Sequence, residues 1–322
     1  MRRILVTGAA GQIGSELIPA LRERYGEANV VATDIRRPTG ALAESGPFEL
    51  LDCTDGNALA ETARRYRVDA IFHLAALLSA TAERDPQRAY ALNMGGLVAV
   101  LEVAREQGAA VFTPSSIAAF GPSTPADPAA QDTIQRPTTI YGITKVAGEL
   151  LCDYYHQRFG VDARGVRYPG LISYVAPPGG GTTDYAVEIF YRALEEGRYT
   201  SFLAEGTQLD MMYMPDAIRA AIEVMEADPA KLQHRNAFNV TAMQFTPEKL
   251  AAAIRRHIPG FTIDYAVDPV RQRIAESWPR RLDDSAAREE WGWRPAYDLE
   301  AMVAEMLEKL AEKLGTPYVT AS

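Results

Sequence analysis

Short apolar runs alternate along the chain with longer segments in which apolar residues recur at helical spacing. The runs Arg2–Thr7, Asn29–Asp34, Phe48–Leu51, Asp69–Ala76 and Ala110–Pro114 read as successive buried strands, and a sixth ends at Arg167-Tyr168. Between the first two, Ile13, Leu17 and Leu21 fall on one helical face. Pro19 lies in that segment, removes one hydrogen bond and predicts a local bend. Met211, Met212 and Met214 read as a core strand entering a helix at Pro215-Asp216, and Asn236–Val240 as a return of the chain to the sheet. The rhythm predicts an α/β fold: a doubly wound parallel sheet over 1–168, rejoined at about 206–242, with a smaller, mostly C-terminal substrate-binding lobe from 169–205 and 243–322.

The first strand runs into Gly8-Ala9-Ala10-Gly11-Gln12-Ile13-Gly14 and then a helix. Backbone amides at such a turn, with the helix dipole behind them, can receive a pyrophosphate. Gly8 permits the tight turn, Gly11 a close approach to the ligand and Gly14 the packing of helix on sheet, in a turn of the Rossmann type whose spacing is GxxGxxG rather than GxGxxG. Asp34 closes the second strand, twenty residues beyond Gly14. A carboxylate there accepts from both ribose hydroxyls and repels a 2′-phosphate, which favours NAD over NADP. Arg36 and Arg37 are the residues that could hold a 2′-phosphate instead. Asp52 is placed either to meet the adenine or to cap a helix with Asp55. Leu74, Ala75 and Ala76 offer small or apolar surface where the fourth strand passes the cofactor, while His73 reads as a core histidine.

Tyr141 and Lys145 stand four residues apart in Thr139-Ile140-Tyr141-Gly142-Ile143-Thr144-Lys145, so a helix stacks a phenol beside an ammonium. Bringing a tyrosine from ~10 to neutrality takes roughly 4 kcal/mol of preference for the phenolate, within reach of a close cation. Ser115-Ser116 follows the fifth strand, at the carboxyl edge where open α/β sheets bind ligands.

The net charge of -9 and a pI near 5.1 argue against nucleic acid or an anionic membrane as partner, and no apolar run is long enough to span a bilayer. Cys53 and Cys152 give neither metal spacing nor a disulfide framework, so no metal is expected and a cytoplasmic setting fits.

Glycine turn, Asp34, Ser116, Tyr141 and Lys145 together resemble the extended short-chain dehydrogenase/reductase superfamily across nearly the whole length. The resemblance implies that Tyr141 is the general base, that Lys145 lowers its pKa and holds the nicotinamide ribose, and that Ser116 bonds the reacting hydroxyl. Gly8, Gly11, Gln12, Ile13, Gly14, Asp34, Asp52, Leu74, Ala75, Ala76, Tyr141, Lys145 and Tyr168 are the expected cofactor residues. Asn93 matches the superfamily's helical asparagine, as a structural or proton-relay residue. A homodimer through the helices flanking the sheet is implied as well.

Two departures count against nucleotide sugars. Ile117 and Ala118 stand where dehydratases of the superfamily carry acids, and Arg167-Tyr168 is followed by Pro169-Gly170 rather than by the Phe-Asn of the epimerases. The stretch Leu171–Val187, with Pro177-Pro178-Gly179-Gly180-Gly181-Thr182-Thr183-Asp184 at its centre, reads alone as a hinged loop ending at a helix cap. With Leu77-Leu78-Ser79-Ala80 and the run from Ser277-Trp278-Pro279 to Trp291-Gly292-Trp293, it resembles the short-chain L-threonine 3-dehydrogenase family. In the C-terminal run Asp284 or Ser285 is expected to cap a helix that Trp291 and Trp293 anchor. The resemblance implies NAD-dependent oxidation of the L-threonine 3-hydroxyl to 2-amino-3-oxobutyrate, a step of threonine catabolism. Ser79, Ser116, Tyr141, Gly181, Thr182, Thr183 and Trp278 are the expected substrate residues, Trp278 either as a pocket wall or as packing. A nucleotide-sugar 4-epimerase and a non-catalytic NAD-binding scaffold are the alternatives.

Overall fold

A computed structural model describes residues 1–38, 41–179 and 181–316; Gly180 of the glycine loop and residues 317–322 of the expected C-terminal lobe lie outside them. The chain opens with β1 (Ile4–Thr7), buried throughout, and turns at the glycines into α1 (Gln12–Tyr25), which runs on through Pro19. β2 (Val30–Asp34), α2 (Ala41–Glu44), β3 (Phe48–Leu50), α3 (Gly56–Tyr66) and β4 (Ala70–His73) follow. Asp55 caps α3 by accepting from the Ala58 amide at 3.0 Å, whereas Asp52 accepts from the Thr54 amide and hydroxyl in the turn before it. Next come α4 (Ser79–Arg84), α5 (Pro86–Gln107), β5 (Ala110–Phe112), β6 (Ser115–Ser116), α6 (Ile140–Phe159), β7 (Ala163–Arg164) and β8 (Val166–Tyr168).

Six of these strands form one parallel sheet in the order β3-β2-β1-β4-β5-β7. The order reverses between β1 and β4, where Thr7 lies opposite His73, and ligands of doubly wound sheets bind in the crevice at such a point. β4 stops at His73, so Leu74, Ala75 and Ala76 leave the sheet as loop rather than extending the strand. β5 likewise stops before Thr113-Pro114, because proline has no N–H for the ladder. Opposite this break a Cβ on Gly165 would come 2.2 Å from the Thr113 carbonyl oxygen, so only glycine lets the two backbones pass. Beyond it the pairing resumes, β6 with β8 and β8 with β12 (Phe238–Asn239).

A second apolar core is built around the later elements. β9 (Gly170–Ile172), α7 (Tyr185–Glu196), β10 (Arg198–Ser201), β11 (Leu209–Tyr213), α8 (Met214–Glu226) and, after β12, β13 (Met243–Phe245) lead to α9 (Pro247–His257). β14 (Thr262–Tyr265), α10 (Pro269–Glu276), α11 (Ser285–Glu290) and α12 (Leu299–Leu314) complete the chain. β9, β11 and β13 pair as one small sheet and β10 with β14 as another. Tyr185, Phe190, Phe245 and Trp278 fill the space between them and α7, α9 and α12. Met212 and Met214 are buried in the first core, Met211 in the second, so β11 joins the two. Trp293 is fully buried, with its ring 5.7 Å from that of Trp291, and both pack on the first core. Asp284 sits at the cap position of α11, but its carboxylate turns to Arg288 at 2.7 Å, and Asp283 accepts from the Ser285 amide instead.

Candidate active site

The glycine turn is shaped by contact. Gly8 has φ of +74°, and a Cβ there would lie 2.6 Å from the Ala75 amide nitrogen. A Cβ on Gly14 would meet the Gly8 carbonyl oxygen at 2.4 Å, so α1 can start hard against the turn. Around Gly11 a Cβ would meet, among the described residues, that same oxygen at 3.2 Å, which leaves an open cradle in front of the first helical amides of Gln12 and Ile13. Asp34 accepts from the Ala10 amide at 3.0 Å and from the Arg36 amide at 3.1 Å, so the acid at the end of β2 is tied to the cradle. Ile35 and Leu50, at the ends of β2 and β3, are exposed and add apolar surface beside it. Donor turn, open cradle, acid and apolar surface fit a dinucleotide.

The second half of the site lies across the loop that follows β4. Leu74, Ala75 and Ala76 line a small cavity of about 40 Å³ together with His73, Asn93, Ser115, Lys145 and Glu149. The strand-switch crevice therefore brings the cradle, by the Gly8–Ala75 contact, to the helix that carries Tyr141 and Lys145.

α6 begins at Thr139, whose hydroxyl accepts from the Gly142 amide at 3.1 Å. A Cβ on Gly142 would come 2.1 Å from the Ala118 carbonyl oxygen, so glycine beside Tyr141 lets the helix start touch the turn that follows Ser116. That closeness brings the Ser116 hydroxyl near enough to the Tyr141 phenol to act on it. Ser116 also accepts from the Ala118 amide at 3.2 Å. Lys145 lies one turn along, with Nζ 5.4 Å from the Tyr141 ring centroid and donating to the Pro114 carbonyl oxygen at 2.6 Å.

The electrostatics of the chain's own residues run opposite to the sequence expectation for Tyr141. Burial pushes its phenol up to about 12, against a smaller downward pull from the Ser116 hydroxyl. The ammonium of Lys145 faces a carbonyl rather than the phenol oxygen, and burial pulls it down to about 8, with Glu149 and Cys152 acting upward. His73, bonded to Thr7 at 2.8 Å through Nδ1, is held neutral by burial, down to about 3.

Asn93 ties the substrate side to this helix. It accepts from the Leu77 amide at 2.8 Å, donates to the Leu77 carbonyl oxygen at 3.2 Å and donates to Thr144 at 3.1 Å. Glu83 of α4 accepts from the Ile140 amide at 2.7 Å, so Ser79, the first residue of α4, is held beside the start of α6. Thr182 is buried and Thr183 half-buried before α7; the Gly181 amide donates to Asp184 at 2.8 Å. A Cβ on Gly170 would meet the Thr183 methyl at 2.6 Å, which sets this segment on β9. Trp278 is buried in the second core, against which Tyr141 also packs. Tyr168 is buried too, and its hydroxyl donates to the Ala217 carbonyl oxygen at 2.6 Å. Asp52 stays exposed in its turn.

Sequence reading missed Glu149, although it extends the Tyr141, Lys145 spacing by one more turn. Its buried carboxylate accepts from Arg167 at 3.0 and 2.9 Å, from Gln135 at 2.7 Å and from the Ser115 hydroxyl. Among the described residues no cluster of three His, Cys, Asp or Glu side chains could hold a metal, and no helix is long and apolar enough to cross a membrane.

Fold and site define a dinucleotide-binding α/β protein with a Ser-Tyr-Lys constellation in the cofactor crevice. Residues 4–241 match the model of the NAD dependent epimerase/dehydratase family, and the chain belongs to that family. NAD is accordingly its cofactor. An uncharacterized epimerase/dehydratase of Staphylococcus aureus strain USA300 is 57% identical over 314 residues, 97% of this chain and 98% of that protein. The chain is also similar to the solved L-threonine dehydrogenase of Clostridium difficile: 59% identity, TM-score 0.96, 97% of this chain and 98% of the other. A monomeric L-threonine 3-dehydrogenase from a metagenome, in apo form, is 43% identical with a TM-score of 0.92, over 96% of this chain and 99% of the other.

Proposed function

We propose that the protein oxidises L-threonine at its 3-hydroxyl with NAD, giving 2-amino-3-oxobutyrate and NADH. The observation that carries this reading is the placement of Ser116, Tyr141 and Lys145 around the start of α6 together with the Gly181–Thr183 segment seated on β9, in a chain 59% identical to a solved L-threonine dehydrogenase.

NAD, when bound, supplies the hydride acceptor, and its nicotinamide cation adds a field that favours a neighbouring phenolate. Tyr141 takes the hydroxyl proton as the C3–H bond breaks and the C3–O bond becomes a carbonyl. Ser116 donates to the oxygen while negative charge builds on it. Lys145 orients the nicotinamide ribose and stabilises the phenolate. Gly8, Gly11 and Gly14 leave room for the pyrophosphate at the α1 amides of Gln12 and Ile13, and Asp34 takes the ribose hydroxyls. Thr183, Thr182, Gly181 and Ser79 grip the carboxylate and ammonium of the amino acid, and the glycine loop closes over them to exclude water. In this division of labour 1–168 with 206–242 holds the cofactor, and 169–205 with 243–322 holds the substrate.

We read the active form as a homodimer: Ile143, Leu150 and Tyr154 on α6, with Tyr90 and Val98 on neighbouring α5, are exposed and offer an apolar face. The buried free thiols of Cys53 and Cys152 suit the cytoplasm. The reading is tested by two substitutions. Tyr141→Phe should lower turnover on the order of 10²- to 10⁴-fold with NAD affinity retained, while Thr183→Ala should mainly raise the KM for threonine. Equal loss of NAD binding in both contradicts the scheme.

A further inference from the structure

Glu149 has a place in the site that the Ser-Tyr-Lys constellation leaves without a role. It stands one helical turn beyond Lys145, as Lys145 stands one turn beyond Tyr141, so the three share a face of α6. Its carboxylate is buried and fully engaged: Arg167 of β8 forks onto it, Gln135 donates to one oxygen, and the Ser115 hydroxyl donates to the other. Ser115 precedes Ser116 in the two-residue β6, and Pro114, the acceptor of the Lys145 ammonium, precedes Ser115. Both links therefore clamp one short segment, Pro114–Ser116, onto one face of α6. Glu149 and Lys145 also line the same small cavity.

We propose that Glu149 is a positioning residue of the site: it fixes Ser116 against Tyr141 through Ser115, and it is the carboxylate that keeps Lys145 an ammonium inside the protein. The proposal rests on the roles of Ser116 and Lys145 given above. The charge surroundings favour this assignment. From β4 His73 is held neutral, and from α6 itself Cys152, its thiol pushed up to about 12 by burial, acts upward on Lys145 less than Glu149 does. Tyr141, one turn back, is an uncharged phenol, pushed up to about 12 by burial. α5 presents the amide of Asn93, and Arg167 of β8 is paired with Glu149 itself. Among the described residues Glu149 is thus the larger of the two upward influences that oppose the burial of the Lys145 ammonium.

Glu149→Gln alone leaves Arg167 buried without its partner and can fail to fold, so the test pairs it with Arg167→Met, which removes both charges at similar volume. The chain has five lysines, so 13C labelling at the lysine Cε carbons resolves Lys145, assigned by its loss in Lys145→Arg. The wild-type midpoint, already depressed by burial, should fall further in the double variant, by about half a pH unit, because Glu149 acts upward on Lys145 while the loss of the Arg167 cation offsets part of the shift. Ser115→Ala, which keeps the charge and cuts the link to Ser116, should leave that midpoint in place and lower kcat with L-threonine about tenfold at unchanged KM for NAD. An unmoved lysine midpoint in a folded double variant overturns the electrostatic half, and an unchanged kcat in Ser115→Ala overturns the positional half. The titration needs no turnover, so failure of the wild type to oxidise threonine would count against the proposed reaction and leave the Glu149 result to be read separately.

Discussion

Lys145 holds its ammonium 5.4 Å from the centroid of the Tyr141 ring, yet donates to the Pro114 carbonyl oxygen at 2.6 Å and not to the phenol. Burial pushes the Tyr141 phenol up to about 12, so the nearness of Lys145 does not by itself make it a base.

The proposed role of Asp34 is to choose the cofactor. It accepts from the Ala10 amide, so Asp34→Asn removes a charge both from the cradle and from the ribose position. The loss of a charged hydrogen bond, about 1.5–3 kcal/mol, predicts a rise of about tenfold or more in the KM for NAD. Discrimination against NADP should weaken by a similar factor, since the repulsion of a 2′-phosphate goes with the charge. Parallel initial rates with NAD and NADP measure both; an unchanged preference contradicts the assignment.

Gly8→Ala should damage both stability and cofactor binding. A side chain at φ of +74° costs about 1–3 kcal/mol, and the added Cβ would press on the Ala75 amide nitrogen, displacing the loop that leads to the second half of the site. Thermal unfolding with and without NADH should show a lowered midpoint and a reduced gain from the ligand. A midpoint equal to wild type would mean that the turn is looser than its contacts require.

His73 gives a pH signature. Its folded pKa, down to about 3, lies below the ordinary 6.5, so the unfolded chain binds the proton first as pH falls. Stability from a neutral His73 is therefore complete above pH 6.5 and is lost progressively from 6.5 towards 3. Relative to His73→Gln, which cannot take the proton, the wild type should lose about 2 kcal/mol between pH 7.5 and pH 5, read by urea unfolding at both. A constant difference between the two proteins contradicts the buried neutral imidazole.

Much of this was legible in the chain because it rests on local spacing. The glycine turn, the acid ending β2, the serines at the β5–β6 edge and the Tyr141–Lys145 step all follow from periodicities of two and 3.6 residues. What was not legible depends on distant partners. Glu149 carries the same four-residue spacing, but its meaning comes from Arg167 and Gln135, which no local pattern brings together. The break at Thr113-Pro114 has a local cause in the proline, while its tolerance depends on Gly165 across the sheet. The bond of the Tyr168 hydroxyl to Ala217 was likewise not legible, because the partner of a strand residue is decided by the helix packed on it. The upward pKa of Tyr141 has the same origin: spacing shows a neighbouring cation, whereas burial, which wins here, belongs to the assembled fold.

The central claim is that Tyr141 and its neighbours oxidise a small amino-acid alcohol rather than shuttling a hydride within a sugar nucleotide. The most direct measurement incubates the protein with NAD and either L-threonine or UDP-glucose, following both NADH absorbance and sugar epimers. NADH formed mole for mole with threonine consumed, and UDP-glucose left unchanged, is the predicted result; epimer formed without net NADH, with threonine inert, would contradict it.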